Sequence, residues 1–264
     1  ALSLWFMISL DMGWRGRIQA QVIAAAFFML AALYALRSEN WLRWSFNKEH
    51  IGNALKIGVP LLPHALGGFI IDTTDRIMIT NMVSVEDTGI YTVGSQVGMV
   101  ILFLTGSFNM AWVPWLFGKL KDADASWKRK IVLATYAYNA MLLCLALMLA
   151  FLTPWIFRVF IGSGFSDGSN YVLWMALGYA FNGMYMMVTN YVFYVEKTYL
   201  VAWVTFFSSL INLAASYWLI RLHGAVGAAQ GAMIAHLCSF LLTWFLSSRV
   251  YPMPWFVRRG RITA

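Results

Sequence analysis

Apolar stretches long enough to cross a bilayer recur along the whole chain, separated by short polar breaks. A helix needs about 20 consecutive apolar residues to span the hydrocarbon layer. The pattern predicts seven such helices, at 18–36, 55–80, 89–118, 131–157, 170–195, 199–220 and 224–247. Residues 1–10, ALSLWFMISL, are apolar from the first position. They read as the tail of an earlier span, so the chain is expected to be part of a longer protein. The longest break, 37–54, is the expected boundary between two lobes: the end of one at 1–48, and a six-helix lobe at 49–264. The breaks at 119–130 (KLKDADASWKRK) and 163–170 (SGFSDGSN) read as a charged loop and a Gly/Ser-rich turn.

Composition supports this reading. Of 264 residues, 61% are hydrophobic and 11% charged, whereas soluble domains carry about 25% charged residues. The expected fold class is therefore all-α integral membrane, a polytopic helical bundle of about seven transmembrane helices. Thirteen Trp, 12 Tyr and 19 Phe suit aromatic belts at both interfaces. Cys144 and Cys238 lie within apolar runs and imply no disulfide framework.

The net charge of +8 matters through its location. With loops placed alternately on two sides, one side receives 14 Lys and Arg and the other 4, leaving only Arg76 inside a span. Such an excess marks the cytoplasmic face. It predicts a cytoplasmic C-terminus and cytoplasmic 37–54 and 119–130 loops. The basic tail PWFVRRGRITA follows from the same bias, so membrane lipids are expected partners and nucleic acid is not.

The segment FIIDTTDRIMIT (69–80) sets three ionisable residues inside a span. Each costs about 2.5–3.5 kcal/mol at the bilayer centre. Asp72 and Arg76 stand four apart and share a helix face, with Asp75 three from Asp72. All three fall within an arc of about 100°. His64 lies eleven residues before Asp75 on nearly the same line, and Pro60 and Pro63 open the helix, which is expected to kink there. Either the charges pair only to lock this helix to a neighbour, or they line a cavity that handles charge. Three such groups exceed what one structural pair needs, which favours the cavity.

Polar stripes recur elsewhere. They comprise Asn182, Tyr185, Thr189 and Glu196; Tyr91, Ser95, Thr105 and Asn109; Ser208, Ser209, Asn212 and Ser216; and Gln230, His236, Ser239 and Thr243. Singly, each reads as packing between helices. Together, beside a charged helix, they fit a bundle around a hydrated cavity. GAVGAAQGA (224–232) and the Gly94–Gly98 pair have the small-residue spacing of close helix approach.

Signals of covalent catalysis are missing. No G-x-x-x-x-G-K-[ST] loop is present, and GSGFSDG at 162–168 is a turn rather than a dinucleotide fingerprint. His50, His64, His223 and His236 are dispersed and make no metal-ligand cluster. No cofactor, metal or catalytic residue is expected. A polytopic bundle with internal charge reads as a secondary transporter rather than an enzyme.

The succession IGVPLLPHALGGFIIDTTDRIMIT, EDTGIYTVGSQVG and SFNMAWVPWLFGKL, followed by EKTYLVAWVTFFSSLINLAASYWLI and HGAVGAAQGAMIAH, resembles the polysaccharide-exporting (Wzx-type, O-antigen) flippases of the MOP superfamily. WRGRIQAQ at 14–21 resembles the lead into that family's sixth helix. The resemblance covers nearly the whole chain. It implies a two-lobe, MATE-like transporter with a cationic central cavity, of which this chain holds the end of the first lobe and all of the second, most of the first lobe being missing. It implies alternating access that moves an undecaprenyl-pyrophosphate-linked oligosaccharide from the cytoplasmic to the periplasmic leaflet of the bacterial inner membrane, with polysaccharide polymerase and chain-length machinery as possible partners.

On this view Arg76 is the first candidate for the pyrophosphate, because guanidinium suits bidentate phosphate contact. Asp72 and Asp75 would hold Arg76 or release it on protonation, and Asp75 with His64 is a candidate coupling site. Asn109, Asn182 and Tyr185 are second-rank candidates for sugar hydroxyls. The competing readings are a cation-coupled multidrug extruder of the same superfamily, a membrane-embedded glycan polymerase or ligase, and a structural half-transporter subunit. Short outward loops argue against the polymerase.

Overall fold

The computed structural model describes Ser3, Trp5, Phe6 and residues 12–41, 47–59, 62–121 and 124–255; the side chains of Ile57, Pro63, His64, Asp72 and Ser163 are outside the description. The chain divides into two units, residues 1–55 and 56–264. The first holds α1 (Gly13–Ser38). Its apolar surface is exposed nearly throughout, as on a helix meant for lipid or for another chain segment. Then comes α2 (Lys48–Gly58), a short helix. The Asn47 side chain caps it, accepting the Glu49 N–H at 2.9 Å.

The second unit carries six long helices: α3 (Leu62–Met82), α4 (Val85–Lys121), α5 (Ala125–Ile156), α6 (Ser169–Tyr194), α7 (Thr198–His223) and α8 (Ala225–Val250). The span expected at 55–80 is corrected. Helix is described to Val59 on one side and from Leu62 on the other, and the polar Lys48–Gly58 segment is a helix of its own. Proline restricts the residue before it and forbids an interior N–H bond, so a Pro60–Pro63 pair favours ending one helix and starting another. The expected kink at Pro60 lies outside the described residues. Pro63 falls in the first turn of α3, where a missing N–H costs nothing.

Among the described residues, five helices are long and apolar enough to cross a membrane alone: α1, α4, α5 with its extension to Ile161, α7 and α8. Of the rest, α2 is too short, and α3 and α6 fall short because of their polar residues. Helix α3 carries Asp72, Asp75 and Arg76, and α6 is rich in Tyr, Asn and Gly. Helix α6 is the most enclosed of the bundle, packing against α4, α5 and α8. Its polar groups meet protein rather than lipid.

Helix α7 shows the solvent this fold was built for. Thr205, Ser208, Ser209, Asn212 and Ser216 face inward and are buried, while Trp203, Phe206, Phe207, Leu210 and Trp218 face outward and are exposed. In water that arrangement would be inverted; in lipid it is the stable one. Most of the inward hydroxyls are satisfied by their own helix: Thr205 donates to Val201 O, Thr189 to Tyr185 O, Thr135 to Ile131 O and Ser247 to Trp244 O, all at 2.8–3.0 Å. Those positions are packing surface.

Turn chemistry joins the helices tightly. At the start of α4, Ser84 Oγ accepts the Asp87 N–H at 2.9 Å and donates to the Asp87 carboxylate. Gly224, with φ +61°, is the single residue between α7 and α8. The close approach expected at 224–232 is present: a side chain at Gly227 would run into the Leu219 backbone.

Glu196, expected on the helical stripe of α6, instead lies in the turn beyond it at φ +60°. A side chain in that region costs about 1 kcal/mol or more. Glu196→Gly is therefore expected to stabilise the fold by about 1 kcal/mol, read as a rise in thermal midpoint in detergent; a fall would show that the Glu196 side chain holds the turn.

Candidate functional site

Asp75 of α3 lies inside the six-helix unit. Asp75 is only 3% exposed. Its carboxylate draws donors from two other helices: Tyr91 Oη of α4 donates to Oδ2 at 3.0 Å, and Ser216 Oγ of α7 donates to Oδ1 at 2.9 Å. Asn212 Nδ2 lies 3.4 Å from both Oδ1 and Ser216 Oγ. Three helices thus converge on one carboxylate. A buried charge needs such bonds, because leaving it unsatisfied costs several kcal/mol.

The position of Ser216 depends on α8. A Cβ at Gly231 would meet the Ser216 hydroxyl and stand 2.7 Å from its backbone nitrogen. Glycine lets α8 press Ser216 onto Asp75.

Beside this cluster opens a cavity lined by Asp75, Arg76, Tyr91, Ser95, Tyr179 and His236, among others. A second, nearly uncharged cavity adjoins it, with Asn182, Tyr185, Thr205 and Ser239 in its wall. Ile71, Tyr179 and His236 line both. The Tyr179 and His236 rings, 6.4 Å between centroids, therefore stand where the charged and neutral spaces meet. The Asn182 side-chain oxygen, on a residue in the wall of the second cavity, is buried with no hydrogen-bond partner among the described residues.

The structure brings Asp75, Arg76, Asn182 and Tyr185 to this pair of cavities. Asn109 is elsewhere. Its Oδ1 accepts from Asn190 Nδ2 at 2.9 Å, tying α4 to α6. The side chains of Asp72 and His64 lie outside the described residues. Sequence reasoning left Tyr91, Asn212, Ser216 and His236 as parts of packing stripes, and Tyr179 unnoticed. The usable signal was that the stripes of α4 and α7 carry donors while Asp75 supplies the acceptor. No group of three or more metal-ligating side chains is found among the described residues.

Comparison with known proteins adds three findings. Residues 3–119 match the family model described as polysaccharide biosynthesis protein. A protein of the Lsg locus of Haemophilus influenzae is 26% identical over 165 residues, covering 61% of this chain and 40% of that protein. An uncharacterized membrane protein of the same organism is 28% identical over 151 residues, covering 56% and 37%. The fold is similar to the Vibrio cholerae MATE transporter VcmN, in its bent form (TM-score 0.63, 15% identity) and in an aspartate-to-asparagine mutant of it (TM-score 0.65, 14% identity). Each covers 94% of this chain and 58% of the transporter.

An all-helical lobe of membrane-spanning length, with a carboxylate held inside it, is a multi-pass membrane protein of the MATE-like fold. The family match covers residues 3–119, under half of the chain, and the likeness to the transporter is one of fold. The matches span about two fifths of the length of the curated relatives.

Proposed function

We propose that this chain is part of a transporter that carries a lipid-linked oligosaccharide from the cytoplasmic to the periplasmic leaflet of a bacterial inner membrane, by alternating access, with the C-terminus cytoplasmic. The observation that carries the reading is the charged cavity against the neutral one. Arg76 offers a guanidinium fork to a phosphate or pyrophosphate, at a depth where water competes little. Asn182, Tyr185 and Ser239 offer neutral polar groups suited to sugar hydroxyls. The undecaprenyl carrier, and cooperation with polymerase and chain-length machinery, belong to the same proposal.

The experiment is complementation. Arg76→Lys and Arg76→Ala are introduced into the full-length gene in a strain lacking it, and surface glycan is measured. Arg76→Ala is expected to reduce export about tenfold or more, and Arg76→Lys to restore only part, because an ammonium lacks the bidentate fork. Full export with Arg76→Ala at normal protein level would remove Arg76 from the substrate path.

A second reading, cation-coupled drug extrusion, draws support from the donors gathered around Asp75, an acidic centre that a cationic compound could exploit. It is favoured instead if the Arg76 variants export glycan normally while the host loses resistance to cationic dyes.

A further inference from the structure

The hairpin between α4 and α5 joins two helices of membrane-spanning length, so its ends lie at a membrane surface. There the Nζ atoms of Lys119 and Lys130 stand 4.5 Å and 4.7 Å from the centroid of one indole, Trp127. The two ammonium groups come from different helices and are no more than ~9 Å apart.

Trp127 is itself fixed. Asp124 caps α5, its Oδ1 accepting the Trp127 N–H at 2.7 Å, and the ring stays 37% exposed. The arrangement is one half-exposed indole, on a capped backbone, shared by two ammonium groups at the end of a helical hairpin.

Charge bias toward one side of a membrane accounts for the sign of these residues but not for their placement. Lys119 and Lys121 complement the negative C-terminal end of α4. Lys128, Arg129 and Lys130 do the opposite: they crowd the positive N-terminal end of α5, whose first turn holds no acidic residue inside the helix. Lys128 turns to the Tyr251 ring, 5.0 Å away. Among the described residues, Asp124 is the anion engaged there, and it is spent on the cap. The hairpin sequence holds five cations against two aspartates, Asp122 and Asp124, and together with the α5 N-terminus this excess of positive charge favours an anion at this surface.

We propose that Lys119, Trp127 and Lys130 form a binding site for the phosphate group of a lipid at this membrane surface, the indole resting at the headgroup level and the two ammonium groups clasping the phosphate oxygens. The site is distinct from the Asp75–Arg76 cavity and does not depend on what that cavity transports. Its phosphate could belong to a resident phospholipid or to a prenyl pyrophosphate awaiting transport.

The test is native mass spectrometry of the purified chain, titrated in separate arms with phosphatidylglycerol, zwitterionic phosphatidylcholine and a prenyl pyrophosphate. Wild type is expected to retain phosphatidylglycerol at least about fivefold over phosphatidylcholine. Lys119→Gln/Lys130→Gln is expected to abolish that preference. Lys48→Gln/Lys56→Gln on α2, which removes the same charge elsewhere, is expected to keep it. Trp127→Leu, retaining both lysines, is expected to weaken it, because the indole they share is gone. Tighter retention of the prenyl pyrophosphate assigns the site to cargo; equal or tighter retention of phosphatidylglycerol assigns it to a resident lipid. The proposal is overturned if Lys119→Gln/Lys130→Gln keeps the full preference, or if the α2 pair loses as much.

Discussion

Asp75→Asn in the full-length protein is expected to lower glycan export about tenfold or more while leaving the amount of protein in the membrane nearly unchanged. Asparagine keeps the volume of aspartate, so packing at this buried position survives. The hydrogen bonding does not. Tyr91 and Ser216 donate to different oxygens of the carboxylate. An amide offers one oxygen and one NH2 group, so one of the two hydroxyls must turn to accept from the NH2 group, and its own proton loses the carboxylate as acceptor. A mispaired buried donor costs about 1–3 kcal/mol, enough for a change of tenfold or more in a transport step that needs this geometry. The charge balance around Arg76 changes as well.

Tyr91→Phe is the graded control, since it removes one donor and leaves Ser216 and Asn212 in place. Its effect should be smaller than that of Asp75→Asn. Surface glycan measured against membrane protein level checks both variants. Normal export by Asp75→Asn would reduce this carboxylate to a packing device.

Gly227→Leu is expected to have the larger effect on folding. Helices α7 and α8 leave Gly224 side by side and touch at their backbones, where a Cβ on Gly227 would overlap the Leu219 carbonyl. Backbone cannot rotate aside as a side chain can, so the helices must separate. The loss is expected to be about 3 kcal/mol or more, at the upper end for overpacking. Loss of folded protein in size-exclusion chromatography of the detergent-solubilised sample would report it. Gly231→Ala, one turn further along α8, is the informative companion. Its new methyl group meets the Ser216 backbone as well as the hydroxyl, at a longer distance than at Gly227, so it should cost less folded protein than Gly227→Leu and also displace the Ser216 hydroxyl from Asp75. A folded, wild-type-like Gly227→Leu protein would mean that α7 and α8 are held by something other than backbone contact.

The helices were legible because lipid imposes a simple rule. Backbone groups in hydrocarbon must be satisfied within a helix, so length and apolarity give position. The expected span 131–157 lies within α5 and its extension, 170–195 coincides within a residue with α6, and the ends of 199–220 and 224–247 fall within three residues of those of α7 and α8. The pattern misled at 55–80. Hydropathy alone does not register where proline divides a run, and α2 emerged as a separate polar helix. Glu196 misled for a related reason: a spacing of seven says nothing about whether the helix has already ended.

The chemistry was legible only in part. From the sequence by itself come the membrane class, the helix positions, the unusual charge on α3, and the existence of polar faces on α4, α6, α7 and α8. These depend on near neighbours and on the solvent, and both are written in local composition. Only the tertiary structure decided which polar faces meet. It sent the Tyr91 and Ser216 hydroxyls to Asp75, paired Asn109 with Asn190, and left Asn182 in the wall of a cavity. A periodic stripe specifies a direction around one helix axis. The partner across the gap depends on crossing angles and on how closely backbones approach, which glycines such as Gly227 and Gly231 control through contacts with residues distant along α7.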